Sequence, residues 1–246
     1  MKMTLKDLGI IIILVIFISC DKDNLTPKIQ SNSLNKIMSL GGSRVEGNRP
    51  AYESFRYELW KDLIENSWTF DYIGTQTDQA SYPMFNDRSF DLDHEGRAGW
   101  TSGQILDGLN DWLAETGVPD IVLFSSPGGN DALEGLPYNQ AIANINGIVN
   151  ALQNANPNVT IIIEQLAPAR SDLMTIELTT YFNRLKQNIP AITSDNSTTS
   201  SEVIALDMFS DFTDSLLVDD VHYNEAGAGF IASRYYRVLK NILEEE

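Results

Sequence analysis

From residue 36 onward, short apolar runs alternate with longer stretches in which apolar residues recur at helical spacing. The short runs predict strands at residues 36–40, 68–73, 121–124, 159–163 and 203–206. The longer stretches predict helices at residues 51–65, 104–116, 139–153, 174–187 and 226–243. Strands that alternate with helices in this way predict an α/β fold: a three-layer α/β/α sandwich with a mostly parallel central sheet.

Residues 74–103 lack a clear period and are rich in Asp, Gly and aromatic residues. We predict a long loop there, and a loop of that length inside a compact domain is usually functional. Ligands of open α/β sheets bind at the carboxyl ends of the strands. Residues that carry chemistry are therefore expected just after strands, or on loops at that edge.

The N-terminal segment predicts export. Residues 8–18 are almost entirely apolar and follow Lys2 and Lys6. The run is too short for a comfortable transmembrane helix but suits a signal peptide. Its end, Phe17-Ile18-Ser19-Cys20, resembles the bacterial lipobox, which implies cleavage before Cys20 and attachment of lipid to that residue. A plain signal peptide, or an uncleaved anchor with an incidental cysteine, is the alternative.

We accordingly divide the chain into a signal peptide at 1–19, a flexible tether at 20–35 and one domain at 36–246. The tether is polar, with no pattern of a buried face. Its start, Asp21-Lys22-Asp23-Asn24, resembles the acidic signals that send some Gram-negative lipoproteins outward. We expect an exported lipoprotein, anchored in the outer membrane through its N-terminal lipid. The cell surface is the expected face and the periplasmic face the alternative.

The composition excludes several classes of partner. The formal net charge is -17, which disfavours nucleic acid as a partner because phosphate backbones are repelled. A single cysteine allows no intrachain disulfide. The sequence contains no Gly-rich phosphate loop and no cluster of Cys and His with zinc-ligand spacing. We therefore predict neither a cofactor nor a bound metal.

Three short motifs carry candidate chemistry. Ser43 follows Gly41-Gly42 directly after a predicted strand, where glycines permit a tight turn that exposes a hydroxyl. Asn130 lies in a Gly-rich turn after the strand at 121–124. Asp219 stands three residues before His222, a spacing that lets a carboxylate orient an imidazole. Taken singly, each motif is more often an ordinary turn or a helix cap.

Together, four blocks in order resemble the SGNH hydrolases, also called GDSL esterases. Gly41-Gly42-Ser43 stands for Gly-Asp-Ser, and Gly99 for the glycine of the second block. Residues 128–131 stand for Gly-x-Asn-Asp, and residues 219–222 for Asp-x-x-His. The resemblance covers residue 36 to the C-terminus and implies the flavodoxin-like fold of that family.

The second and last blocks are similar to a carbohydrate-esterase branch of the family that includes acetyl xylan esterases. The similar stretches are residues 93–101 and residues 221–227. This resemblance implies hydrolysis of short-chain acyl esters, acetyl above all, on a carbohydrate substrate.

By the same resemblance, Ser43 is the nucleophile, His222 the general base and Asp219 the residue that orients His222. The oxyanion would be met by the Ser43 and Gly99 backbone N–H groups and the Asn130 side-chain amide. A thioesterase or a hydrolase of lipid esters remains a possible member of the same family.

Gly42 departs from the family pattern, which has Asp between the Gly and the Ser. The missing side chain predicts a less constrained Ser43, slower turnover, and a faster enzyme when Gly42 is changed to Asp. The alternative is a non-catalytic, glycan-binding surface lipoprotein on a degenerate hydrolase scaffold.

Other notable residues receive more ordinary interpretations. His94 lacks the Asp-x-x-His context, so we expect a hydrogen-bonded loop histidine. The spacing of Asp87, Asp91 and Asp93 does not match an EF-hand loop, so we expect a solvated acidic loop. A further set of aromatic residues either stacks on sugar rings or belongs to the core: Trp68, Tyr82, Phe85 and Trp100.

Overall fold

The structure is a computed structural model that describes residues 30–245. The predicted signal peptide, Cys20 and the tether up to residue 29 lie outside the described residues. Within that described range, no helix is both long enough and apolar enough to cross a membrane. Asn35, the last residue of the predicted tether, is buried, and its side-chain amide donates to the carbonyl oxygens of Thr69 and Glu244 at 2.8 and 2.9 Å.

The elements alternate along the chain much as the sequence predicts. The strands are β1 (Lys36–Gly41), β2 (Asp71–Ile73), β3 (Gln76–Thr77), β4 (Asp93–Gly96), β5 (Ile121–Phe124), β6 (Thr160–Gln165) and β7 (Val203–Asp207). The helices are α1 (Ser43–Glu46), α2 (Phe55–Glu65), α3 (Ser102–Thr116), α4 (Gly129–Leu133), α5 (Tyr138–Ala155), α6 (Ile176–Asn196) and α7 (Glu225–Leu239). A 3₁₀ turn spans Asp214–Leu216.

The strands form one sheet in the order β3-β4-β1-β5-β6-β7, with β2 paired to the first half of β1. Every pairing is parallel except β3 with β4. Leu40 of β1 is in register with Glu95 of β4 on one side and Phe124 of β5 on the other. The carboxyl ends of these three strands therefore lie level at one edge of the sheet.

Helices cover both faces of the sheet, which confirms the predicted three-layer sandwich. Successive residues of β1 point to opposite faces, as the pleat requires. Met38 and Leu40 pack into a core with helices α3, α5 and α6, whereas Ile37 packs into a second core with α2 and α7. The continuous apolar runs of β5 and β6 follow from this double coverage, because both of their faces are buried.

Three helix boundaries differ from the prediction by four residues or more, and one of them is the end of α7 at Leu239 rather than at residue 243. Helix α2 begins at Phe55 rather than at residue 51. The Ser54 side chain caps this observed start by accepting the backbone N–H of Arg56. Helix α6 continues beyond residue 187 and through Pro190 to Asn196. A proline usually ends a helix, but Ile189 and Ile192 on either side of this one are buried in the core and hold the last turns in place.

The prediction of one structureless loop at 74–103 was wrong, because this stretch contains β3 and β4. Strand β4 reads Asp-His-Glu-Gly and carries no apolar pattern, yet His94 and Glu95 are buried. The Glu95 carboxylate is balanced by Arg97 Nη2 at 2.7 Å and by the Thr75 backbone N–H at 2.8 Å. Buried polar groups satisfied in this way cannot be found from hydrophobic periodicity.

Candidate active site

Ser43 lies on the tight turn between β1 and α1. The turn depends on Gly41, whose φ is +156° and whose position leaves no room for a side chain. A Cβ there would lie 2.7 Å from the Ser125 carbonyl oxygen. The N–H groups of Val45 and Glu46 both donate to the Gly42 carbonyl oxygen at 3.0 and 3.1 Å, which closes the short helix behind Ser43.

His222 lies on the loop before α7, with its ring hydrogen-bonded at both nitrogens. Nε2 is 2.9 Å from Ser43 Oγ, and Nδ1 is 2.8 Å from Asp219 Oδ2. The other oxygen of Asp219 accepts the backbone N–H groups of Val221 and His222 at 2.9 and 2.8 Å. The structure therefore joins the three side chains predicted from sequence into one hydrogen-bonded chain, although 179 positions separate Ser43 from His222.

The Asp219 carboxylate is held in its charged form. Its partial burial would by itself raise the pKa, but the hydrogen bonds from the Val221 N–H, the His222 ring and the His222 N–H outweigh burial. The net result is a pKa of Asp219 below its usual range. The carboxylate thus stays available to hold the Nδ1 side of the imidazole.

The three predicted hydrogen-bond donors follow strands β1, β4 and β5, which end at the same sheet edge. Asn130 lines the cavity together with Ser43, whereas Gly99 does not. Asn130 Nδ2 donates to the Trp100 carbonyl oxygen at 2.7 Å, which leaves one of its two amide hydrogens unused by that bond. Gly99 is exposed with φ +76°, a conformation that L side chains rarely adopt. Among residues 30–245, no acceptor pairs with the backbone N–H of either Ser43 or Gly99.

Arg44 is a buried cation beside Ser43, and no sequence motif marks it. Its Nε donates to the Val221 carbonyl oxygen at 2.8 Å. Its two terminal nitrogens donate to the carbonyl oxygens of Ala167 and Pro168 at 2.8 and 2.9 Å. One side chain therefore connects the Ser43 turn with the loop after β6 and the loop that carries His222.

Glu164 is a second buried charged group that the sequence did not reveal. It accepts the Ser126 backbone N–H at 2.7 Å, the Ser125 hydroxyl at 3.0 Å and the Tyr235 hydroxyl at 2.8 Å. Burial raises the pKa of Glu164, and these donors together with Arg44 oppose the rise. The carboxylate anchors the start of the loop that leads to Asn130.

Tyr52 covers one face of the His222 ring, with the two ring centroids 3.9 Å apart. Its segment is tied to the residue after His222, since the Glu53 N–H donates to the Tyr223 carbonyl oxygen at 2.9 Å. The helical spacing from residue 51 predicts Tyr52 in the first turn of a helix, and no sequence motif marks it for a role.

A narrow cavity of about 40 Å³ opens beside Ser43. Its polar lining residues are Ser43, Arg44, Ser102, Ser126, Asn130 and Asp131. Its remaining wall is mostly apolar and is formed by residues of α3, β5, α4 and α6 and of the loop after β6: Ile105, Phe124, Leu133, Leu166 and Phe182. The site thus combines a polar rim with a small apolar pocket.

The residues given ordinary interpretations lie away from this chain of hydrogen bonds. His94 is buried on β4 rather than on a loop, where its Nδ1 accepts the Gly96 N–H at 3.0 Å. The three acidic residues do not form one solvated loop as expected, because Asp87 is exposed but Asp93 lies on β4 and Asp91 is largely buried. No group of potential metal ligands occurs among residues 30–245. Of the four aromatic residues considered for sugar stacking, Trp100 alone lines the cavity beside Ser43. Tyr82 and Phe85 pack against the core that lies between the sheet and the helices α2 and α7.

Residues 42–229 match the model of the GDSL-like lipase/acylhydrolase family. A search of curated proteins found no match. Solved structures do resemble the chain. A carbohydrate esterase family 3 protein from Talaromyces cellulolyticus is 27% identical, with a TM-score of 0.72, over 85% of this chain and 98% of its own.

Two further structures are similar to the same degree. A family 3 carbohydrate esterase of Clostridium thermocellum is 27% identical, with a TM-score of 0.67, over 86% of this chain and all of its own. An acetyl esterase structure with a bound acetate ion is also 27% identical, with a TM-score of 0.73, over 85% of this chain and 98% of its own.

Proposed function

We propose that this chain, which belongs to the GDSL-like lipase/acylhydrolase family and is a hydrolase that acts on esters, removes short acyl groups from carbohydrate. Acetyl is the acyl group that we favour above all. The observation that best supports a serine-based mechanism is the distance of 2.9 Å between His222 Nε2 and Ser43 Oγ. A general base must lie within such reach of the proton that it removes.

The proposed reaction has two steps. Ser43 Oγ forms a bond to the ester carbonyl carbon while His222 Nε2 takes the hydroxyl proton, and Asp219 stabilises the imidazolium. The bond to the sugar oxygen then breaks, and His222 returns the proton to that oxygen as the alcohol leaves. In the second step, His222 Nε2 takes a proton from water while the water oxygen forms a bond to the acyl carbon. The bond from that carbon to Ser43 Oγ then breaks, and His222 returns the proton to Oγ as the carboxylic acid leaves.

Negative charge develops on the carbonyl oxygen in both steps. We assign its stabilisation to the backbone N–H groups of Ser43 and Gly99 and to the Asn130 amide. The unpaired state of the two backbone donors supports this assignment. Loss of one such donor typically costs about 10²–10³ in kcat.

The cavity beside Ser43 supports a short acyl group. A single water needs about 10–15 Å³ of such space, so a cavity of about 40 Å³ offers room for about three water-sized groups. The three heavy atoms of an acetyl group match that space, which favours a short acyl group. The apolar wall suits the acetyl methyl group.

The carbohydrate part of the proposal rests on the relatives. Two of the structures similar to this chain are named carbohydrate esterases and a third is named an acetyl esterase. We further propose that lipid on Cys20 anchors the chain to the outer membrane, where a tethered esterase reaches polymers too large to enter the cell. Labelling cells with radioactive palmitate, beside a Cys20→Ser variant, tests the anchor.

One comparison tests the function. The purified chain without its first 19 residues is assayed with 4-nitrophenyl acetate and with acetylated xylan, beside Ser43→Ala. We expect release of nitrophenol and acetate by the wild type and a loss of about 10⁴-fold or more in Ser43→Ala. Equal rates for the two proteins would overturn the serine mechanism and favour a glycan-binding role on a hydrolase scaffold.

A further inference from the structure

The hydrogen bonds of the His222 ring lie at its edge and leave its two faces uncovered. Nδ1 and Nε2 both lie in the ring plane, where they are bonded to Asp219 and Ser43. These bonds and the covalent link to Cβ fix where the ring lies, but none of them packs against a face to resist a tilt of the ring. The site is also partly open, because the Asp219 side chain is 50% exposed.

Tyr52 restricts that tilt. Its ring lies nearly parallel to the imidazole, at an interplanar angle of 14° and a centroid distance of 3.9 Å. Such contact over a whole ring face resists rotation of either ring out of the shared plane. Among the ring pairs of residues 30–245, this pair has both the smallest interplanar angle and the shortest centroid distance.

The Tyr52 ring is itself held at a fixed position. Its backbone N–H donates to the Asn48 carbonyl oxygen at 3.2 Å, and its own carbonyl oxygen accepts the Asn48 N–H at 3.1 Å. The neighbouring Glu53 N–H donates to the Tyr223 carbonyl oxygen at 2.9 Å. The segment that carries Tyr52 is hydrogen-bonded to Tyr223, the residue after His222. Backbone hydrogen bonding as well as ring stacking therefore keeps the two rings next to each other.

The chemistry of the pair is consistent with this arrangement. Burial raises the pKa of the Tyr52 hydroxyl, and the nearby carboxylates of Glu46 and Asp219 raise it further. Tyr52 is therefore a neutral phenol, and its electron-rich face lies against the imidazole.

We infer that Tyr52 is a positioning residue for His222, whose ring keeps Nε2 directed at Ser43 Oγ. The inference rests on the proposed function, since it matters only if His222 transfers the proton of Ser43. It assigns the effect to the flat ring and not to the hydroxyl.

Two substitutions at Tyr52 test the inference with 4-nitrophenyl acetate as substrate. Tyr52→Phe keeps the ring and removes the hydroxyl, so its kcat should stay within about twofold of wild type. Tyr52→Leu keeps an apolar side chain but removes the flat face. Misplacement of a reacting group by about 1 Å costs about 10²-fold, so kcat should fall about 10- to 100-fold with KM nearly unchanged.

The outcomes separate this inference from the proposed function. An active wild type, an inactive Ser43→Ala and a fully active Tyr52→Leu would overturn the inference alone. A Tyr52→Phe variant as slow as Tyr52→Leu would also overturn it, because the hydroxyl would then be the important group. A change confined to KM would make Tyr52 a substrate contact instead.

Nitrogen-15 spectra of the histidines provide a readout beyond activity. The chain has two histidines, and His94 is buried on β4, so its resonances report on the fold. In Tyr52→Leu the His222 resonances should broaden or shift while those of His94 stay in place. A slower Tyr52→Leu with unchanged His222 resonances would contradict a role in positioning.

Discussion

The guanidinium of Arg44 donates a hydrogen bond of 2.8 Å to the carbonyl oxygen of Val221, the residue immediately before His222. The residue after the proposed nucleophile thereby holds the loop that carries the proposed base. From the sequence alone, the glycine at position 42 predicts a poorly constrained Ser43. Arg44 supplies an anchor for the same turn that no pattern in the sequence indicated.

We predict that Arg44→Met lowers kcat by about 10²-fold, because a reacting group displaced by about 1 Å costs about that much. Three carbonyl oxygens lose their donor, and each unsatisfied buried group costs about 1–3 kcal/mol, so the melting temperature should fall as well. Arg44→Lys should recover part of the stability but little of kcat, since an ammonium lacks the planar fork of donors. Wild-type kcat in both variants would show that Arg44 does not position the loop.

Substitution of Gly42 should slow the enzyme rather than accelerate it. The sequence alone predicts a faster Gly42→Asp variant, but a Cβ at position 42 would lie 2.9 Å from Asn130 Nδ2. The side chain therefore pushes the amide from its place beside Ser43. Displacement of one donor should cost kcat a factor of about 10–10², within the loss of about 10²–10³ for complete removal.

Gly42→Ala should show the same effect as Gly42→Asp, and Gly229→Ala is the control because a Cβ there meets no atom within 4 Å. Steady-state kinetics on the three variants measure the difference. A Gly42→Asp variant faster than wild type would restore the sequence-based expectation.

The length of the acyl group should depend on Ile105. This buried residue of α3 lines the cavity beside Ser43, so Ile105→Ala should enlarge the pocket and raise the rate with 4-nitrophenyl butyrate relative to the acetate. Ile148→Ala is the matched control, since Ile148 is equally buried in the same core but does not line the cavity.

Both alanine variants should lose about 2–5 kcal/mol of stability, and Ile105→Ala alone should change the ratio of butyrate to acetate rates. An equal change of that ratio in both variants would mean that the cavity does not receive the acyl group.

The stability of the fold should depend on pH through Asp91. Burial raises the pKa of this carboxyl to about 6, although the backbone N–H groups of Tyr72 and Asp93 donate to it at 2.8 and 3.2 Å. Between about pH 4 and pH 6 the folded chain retains a proton that the unfolded chain has released. The free energy of unfolding contributed by Asp91 therefore falls as pH rises through that window.

A rise of the Asp91 pKa from 3.8 to about 6 corresponds to about 3 kcal/mol in the free energy of unfolding. Urea unfolding between about pH 4 and pH 7 should show the wild type losing about that much more stability than Asp91→Asn. Parallel pH curves for the two proteins would exclude Asp91 as the source.

The elements with a clear apolar pattern were predictable from the sequence. Residues 121–124 form β5 as predicted, because a strand buried on both faces must be apolar throughout. The resemblance carried by the four ordered blocks implied both the fold class and the grouping of Ser43, Asp219 and His222, and hydrogen bonds join these three side chains in the structure. The rule that ligands bind at the carboxyl ends of parallel strands agrees with that grouping.

The groups that support the site were not predictable from one sequence. Arg44 binds carbonyl oxygens 123, 124 and 177 positions away, and these contacts exist only after the fold has formed. Tyr52 and Glu164 likewise act through neighbours that are distant in the chain, such as Tyr235 for Glu164. Strand β4 escaped prediction because its buried residues are polar and paired, so they leave no apolar pattern.

The reactivity of the Ser43 hydroxyl tests the central claim most directly. The purified chain is treated with a fluorophosphonate, which reacts only with activated serine hydroxyls, and the mass of the intact protein and of its peptides is measured. We predict one adduct, located on Ser43, which is absent in Ser43→Ala and forms at least about 10²-fold more slowly in His222→Ala. Failure to label the wild type, or equal labelling of Ser43→Ala, would contradict the assignment of Ser43 as the nucleophile.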